Sequence, residues 1–106
     1  MSNDRELVEN AAKAAGVEVI WHPAWNLFIF KTTYQKWNPL TDDGDALRLA
    51  VQLRMDVEPW IHGDSAYSRV LCREVLIDEP HYGDDPERAT RRAIVRAAAE
   101  IGRNMK

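Results

Sequence analysis

The chain has 106 residues, 45% apolar and 29% charged, with four Trp; that is globular composition, enough for one domain and leaving no room for a second. A formal charge of -3 gives no global attraction to nucleic acid or anionic membrane, so such binding would need a local basic cluster. Cys72 is the only cysteine, which excludes an intramolecular disulfide and favours a reducing compartment. The charged first residues and the absence of a long apolar run lead us to expect neither a signal peptide nor a membrane span.

Asn3 with Glu6 three positions later predicts a capping box. The helix it opens places Leu7, Val8, Ala11, Ala12 and Ala15 on one side, and Gly16 closes it. Val17, Val19 and Trp21 then alternate with Glu18 and Ile20, His22 to Asn26 breaks the pattern, and Leu27 to Thr33 is β-rich, which together predict an antiparallel hairpin.

Pro39 turns the chain, and Thr41 or Asp42 caps a second helix whose first turn carries Asp42, Asp43 and Asp45. Its expected buried stripe is Ala46, Leu47, Ala50, Val51 and Leu53, with Asp45, Arg48 and Gln52 towards water. Met55, Val57 and Ile61 alternate after it, and Pro59 predicts an edge strand or a bulge. His62 to Ser65 is a turn. The run from Ser68 to Ile77 is strand-like, but its apolar parity slips between Cys72 and Val75, which predicts a bulge near Arg73 and Glu74. Glu79 to Pro86 is a loop in which Asp85 caps the last helix and Pro86 takes its first position. Thr90, Ala93, Ile94, Ala97, Ala98 and Ile101 form a narrow small-residue face that permits close approach of a helix or sheet. The expected architecture over residues 1–106 is therefore a single α+β domain, an antiparallel four-stranded sheet packed with three helices in the order α-β-β-α-β-β-α.

The segments Trp37 to Val51 and Ala89 to Gly102 resemble the two characteristic segments of small uncharacterised phage and prophage proteins grouped with the phage α-β-α sandwich domains. The resemblance implies a bacterial, phage-derived setting, hence a cytoplasmic location in the bacterial host, and it brings no reaction, cofactor or catalytic residue with it.

No residue pattern identifies a catalytic, cofactor-binding or metal-binding site. Asp42, Asp43 and Asp45 fit a helix cap better than a hard-cation site, because a full calcium loop would need a bidentate Glu where Leu53 stands. His22, His62 and His81 lie in predicted loops without metal-ligand spacing. Cys72, in an apolar strand, fits a buried structural thiol better than a nucleophile. Ser65 and Ser68 lack a nucleophile-elbow context.

Two features point to a partner. Arg88, Arg92 and Arg96 recur every four residues with Arg91 beside them, a basic stripe that suits a solvated face with ion pairs, an acidic protein or a phosphate backbone. Trp25, Trp37 and Trp60 sit in or next to loops, where each fits cover for an edge of the small core, Trp37 above all as an anchor before the Asn38-Pro39 turn, and where an exposed ring, Trp25 or Trp60, would mark a contact surface. The expected function is a non-catalytic accessory or regulatory module that binds a phage or host protein. The alternatives are nucleic-acid binding through the arginine stripe, with tight duplex DNA binding disfavoured by the net charge, and a small enzyme with an unrecognised site.

Overall fold

The computed structural model describes residues 3–62, 66–81, 83 and 85–105. Among the described residues three helices and six strands follow one another: α1 (Asp4–Ala15), β1 (Val19–His22), β2 (Leu27–Phe30), β3 (Lys36–Trp37), α2 (Asp43–Gln52), β4 (Asp56–Ile61), β5 (Tyr67–Cys72), β6 (Val75–Pro80) and α3 (Pro86–Arg103). The strands form two three-stranded antiparallel sheets, β1-β2-β3 and β4-β5-β6, and not the single four-stranded sheet expected from the sequence.

Two local features account for that correction. The parity slip after Cys72 is a hairpin: Cys72 pairs with Val75 and Val70 with Ile77, so Arg73 and Glu74 form a two-residue turn. Arg73 takes φ 57° there, the left-handed geometry that tight hairpin turns demand. The second feature is β3, whose two residues pair with Phe28 and Ile29. The two sheets have different helix neighbours. α3 packs on all three strands of the second sheet, with Ser68, Val70 and Cys72 turned inward and buried. The first sheet lies beside α1, where Arg5 sits over the Trp21 ring at 4.3 Å and Val8, Trp21 and Phe28 share a cavity lining.

The helix caps follow the sequence. Asn3, Asp42 and Asp85 each accept a hydrogen bond from the backbone amide three residues on, at 2.7, 2.8 and 3.0 Å, and Gly16 ends α1 at φ 70°. Pro59 lies in an edge strand, and the register of β4 against β5 shifts between Glu58 and Ile61. β6 runs through Glu79 and Pro80, so the expected loop begins later. Gly63, Asp64 and Ser65 of the expected turn, and Tyr82 and Asp84 of the loop, lie outside the described residues.

The core is one cluster in which Leu7, Val8, Phe28, Trp37, Leu49, Val70, Ile94 and Ile101 join the alanines of α1 and α3. α3 is buried more widely than its expected face: Val95, Ala99 and Gly102 are covered as well, because α1 packs where a narrower stripe would leave water. Contact between these helices is at backbone level. A Cβ placed on Gly102 would stand 1.9 Å from the Asn10 carbonyl oxygen.

Candidate functional site: a groove between α2, α3 and β4

The groove originates in the polar turn before α2. Asn38 Oδ1 accepts from the Leu40 amide at 3.1 Å, and the Asn38 amide donates to Asp45 Oδ2 at 2.9 Å. The other oxygen of Asp45 accepts from Arg48 Nη2 at 2.7 Å. With its charge paired and its oxygens bonded, the Asp45 carboxylate tolerates burial, and the residue is only 7% exposed. This sets the rotation of the helix. Ala46, Leu49, Ala50 and Leu53 face the core, while Leu47 and Val51, which the sequence pattern assigned to it, are 64% and 68% exposed. Beyond the helix, the Gln52 side-chain amide donates to the Ala15 carbonyl and ties α2 to the end of α1.

Between the rotated α2, the start of α3 and β4 lies an open cavity of about 540 Å³, walled by Ala46, Leu47, Ala50, Val57, Trp60 and Ile94. Its walls are mainly apolar, and Asp43, Glu87 and Arg91 also border it. Arg91 is tied down: Nε donates to the Leu40 carbonyl at 2.9 Å and Nη1 to Asp43 at 2.7 Å.

Trp60 is held at the groove by a network that sequence reasoning missed. Its ring stands edge-on to His81, centroids 4.7 Å apart, and its Nε1 donates to His62 Nδ1 at 3.2 Å. Two histidines judged unrelated by spacing thus meet on one indole. Behind it, Ser68 Oγ donates to the Pro59 carbonyl at 2.9 Å and lies 2.7 Å from His81 Nε2 and 2.8 Å from Thr90 Oγ1. A hydroxyl has one proton and two lone pairs. Because that proton goes to Pro59, both Thr90 and His81 must donate, which places the imidazole proton on Nε2. His81 Nδ1 is then a buried atom with no hydrogen-bond partner among the described residues.

The Ser68–His81 contact resembles a nucleophile and its base, but the chemistry opposes that role. Ser68 is fully buried, its lone pairs are occupied, and His81 approaches as a donor, whereas a general base must accept the hydroxyl proton. The network instead clamps the bulged strand at Pro59 to β5 and α3, which fixes Trp60. Ser68, His81 and Thr90 are 13 and 22 residues apart, so no local pattern signals their meeting.

The remaining sequence-predicted residues are dispersed. Arg92 bonds Asp4 at 3.0 Å and approaches Glu79 at 3.7 Å, and Arg96 bonds Glu79 at 2.5 Å. With Arg91 on Asp43, three of the four stripe arginines neutralise acids of the same chain; Arg88 is exposed and has no ion partner among the described residues. Trp25, 54% exposed, stacks on His22 at 4.1 Å beside Lys36 on the first sheet, and it does not line the groove. Trp37 is in the core. Cys72 is buried, its thiol donating to the Leu53 carbonyl at 3.3 Å, and burial raises its pKa above the usual thiol value. Among the described residues no three His, Cys, Asp or Glu side chains converge as a metal site, and no helix is long and apolar enough to cross a membrane.

No family model matches the chain, and neither a curated protein nor a solved structure does.

Proposed function

We propose that this chain is a non-catalytic binding module that engages another protein through the groove between α2, α3 and β4, as an accessory or regulatory protein of a phage or prophage acting in the bacterial cytoplasm. The observation that carries the proposal is the open apolar surface made by Leu47 of α2 with Val57 and Trp60 of β4. Exposed apolar area that is contiguous and edged by charge suits a protein contact, and Trp is the side chain most enriched at binding hot spots. The phage setting is supported by the resemblance of the Trp37 to Val51 and Ala89 to Gly102 segments alone.

The arginine stripe supports the nucleic-acid alternative less well. Arg91, Arg92 and Arg96 already face Asp43, Asp4 and Glu79, and phosphate binding would have to break those pairs before releasing counterions.

The test is capture of partners from infected and lysogenic bacterial extracts on the immobilised chain. Trp60→Ala and Leu47→Glu should abolish capture while melting like the parent, whereas Trp25→Ala should retain it. Capture indifferent to both groove variants would refute the proposal.

A further inference from the structure

We infer that the groove takes an extended segment of its partner protein in which basic and apolar residues alternate, and that this segment pairs with the free edge of β4 as a fourth strand of the second sheet. This rests on the binding-module reading of the groove and specifies the chemistry of its occupant. The observation behind it is the direction of the β4 main chain. β4 is an edge strand, with β5 on one side only. The two-residue turn at Arg73 and Glu74 makes Cys72 and Val75 a hydrogen-bonded pair, and bonded pairs recur at every second residue, so Val70 and Ser68 also bond towards β6. The residues between them, Arg69 and Leu71, therefore bond towards β4, where they face Glu58 and Asp56. Val57 lies between those two and turns its N–H and C=O away from β5, and neither group has a hydrogen-bond partner among the described residues.

The free edge is short and bounded. Upstream, the Met55 amide is spent on the Ala50 carbonyl at 2.9 Å. Downstream, Pro59 has no N–H and its carbonyl accepts from Ser68. The donor and acceptor of Val57 match one residue of an incoming antiparallel strand.

Side-chain chemistry follows from the pleat. A residue opposite Val57 projects to the same face as Val57, into the space walled by Ala46, Leu47, Ala50 and Ile94, so it is apolar. Its two neighbours project to the outer face, beside Asp56 and Glu58. Both acids are exposed and neither forms a salt bridge among the described residues, and Arg69, opposite Glu58, is bonded by Asp78. Opposite charges on facing strands attract and like charges repel, so the neighbours are Lys or Arg. The same charges reject a second copy: β4 laid antiparallel on itself about Val57 would set Asp56 against Glu58 twice.

The competing edge is β6, where Leu76 and Asp78 turn their main chain outward by the same alternation. The cavity beside that strand is lined mainly by charged side chains, among them Glu79, Arg92, Arg96 and Glu100. Glu79 is already paired with both arginines, so the site offers a strand neither a comparable apolar wall nor a free charge on Glu79.

The test is a nitrogen-15 NMR titration of the full chain with a blocked heptapeptide of alternating Lys and Val, up to about 1 mM. In the free chain the Val57 amide should exchange with deuterium faster than those of Asp56 and Glu58. The peptide should slow Val57 exchange at least tenfold and leave its two neighbours, already bonded to β5, little changed. A peptide of the same composition with Lys and Val in separate blocks, an alternating Glu and Val peptide, and the Lys and Val peptide N-methylated at every Val should each bind roughly tenfold more weakly. Leu47→Glu should weaken the parent peptide by a similar factor. In the Asp56→Lys, Glu58→Lys double variant the preference should reverse towards the Glu and Val peptide. Thermal melts confirm that each variant is folded.

No binding of the alternating peptide up to about 1 mM overturns the inference. So does binding that leaves Val57 exchange unchanged, or that the block or N-methylated peptide matches. If one of these is found while capture from extracts still depends on Leu47 and Trp60, the binding-module proposal stands and only the added strand is lost. If the peptide protects Val57 as expected but capture ignores both groove residues, the strand site holds and the partner proposed from extracts falls.

Discussion

Replacing Gly102 by Ala tests the contact between α1 and α3. Judged by helix propensity alone the change is favourable by up to about 1 kcal/mol, because Ala is the better helix former. The structure predicts the opposite sign. The new Cβ would meet the Asn10 carbonyl oxygen at 1.9 Å, its carbon at 2.8 Å and the Ala14 nitrogen at 3.2 Å. Carbon-to-oxygen contacts settle near 3.3 Å or beyond, so the helices must part by roughly 1.4 Å. These obstacles are backbone atoms of a helix, so no rotamer change relieves them. Parting the helices also opens a gap beside the buried alanines of both, and a gap of up to an ångström already forfeits a quarter to a half of each dispersion contact. Overpacking of this kind costs about 1 to 3 kcal/mol or more. With the propensity gain set against the upper end, Gly102→Ala should lose about 2 kcal/mol and roughly 10 °C in Tm. Urea unfolding followed by far-UV circular dichroism measures it. Gly44→Ala is the contrast, since its Cβ would meet only side-chain atoms of Arg48 and Asp42, at 3.2 Å; a shift of a few tenths of an ångström in the cap offsets the propensity gain, and the change should stay within about 1 kcal/mol of the parent. A Gly102→Ala chain as stable as the parent would refute the backbone-level packing of α1 on α3.

Trp37→Ala removes a ring from the shared core and should cost about 3 to 5 kcal/mol; a chemical melt decides, and a parent-like midpoint would place the ring outside the core. Asp42→Ala should lose on the order of 1 kcal/mol through the missing α2 cap, and thermal scans with calcium, magnesium or a chelator should leave the parent Tm unmoved. Asp78 has its pKa lowered chiefly by the hydrogen bond from Arg69. Its contribution is therefore present above the unfolded carboxylate pKa and is lost as the pH falls through the lower folded value. Asp78→Asn should be slightly less stable than the parent at neutral pH, with the gap closing in acid. Denaturant midpoints across a pH series would show it, and a gap that widened in acid would contradict the pairing.

Local signals in the sequence specified local structure well. The caps at Asn3, Asp42 and Asp85, the Pro59 irregularity and the small-residue face of α3 all depend on neighbours within a few residues, and all appear in the structure. The slip after Cys72 was visible, but a bulge and a two-residue turn disturb parity alike, and Arg73 with Glu74 lacks the Gly or Asn that marks a turn. β3 was invisible because two residues show no alternation. Of the residues proposed as a partner surface, Trp60 and Arg91 border one groove, while Trp25, Arg88, Arg92 and Arg96 lie elsewhere. The clamp of Ser68, His81 and Thr90 depends on β5, β6 and α3 meeting, which only the tertiary fold decides.

The misreading of α2 shows how the groove arises. Apolar periodicity counts Leu47, Leu49, Val51 and Leu53 as equivalent claimants for the core, and a helix carrying apolar residues around most of its circumference cannot be oriented by hydrophobicity alone. Turning it to bury Leu47 and Val51 would expose Leu49 and Leu53, a nearly even exchange at about 1.5 to 3 kcal/mol per side chain. The tie is broken by polar chemistry. Asp45 must stay turned inward to accept from the Asn38 amide and from Arg48, because leaving that amide unsatisfied or that carboxylate unpaired costs about as much as one of the apolar side chains. Once Asp45 fixes the rotation, Leu47 and Val51 must face water. Their exposure is thus a consequence of the cap network and the cost is recovered only when something covers them, which is why the same polar turn that starts α2 also creates the surface on which binding is proposed.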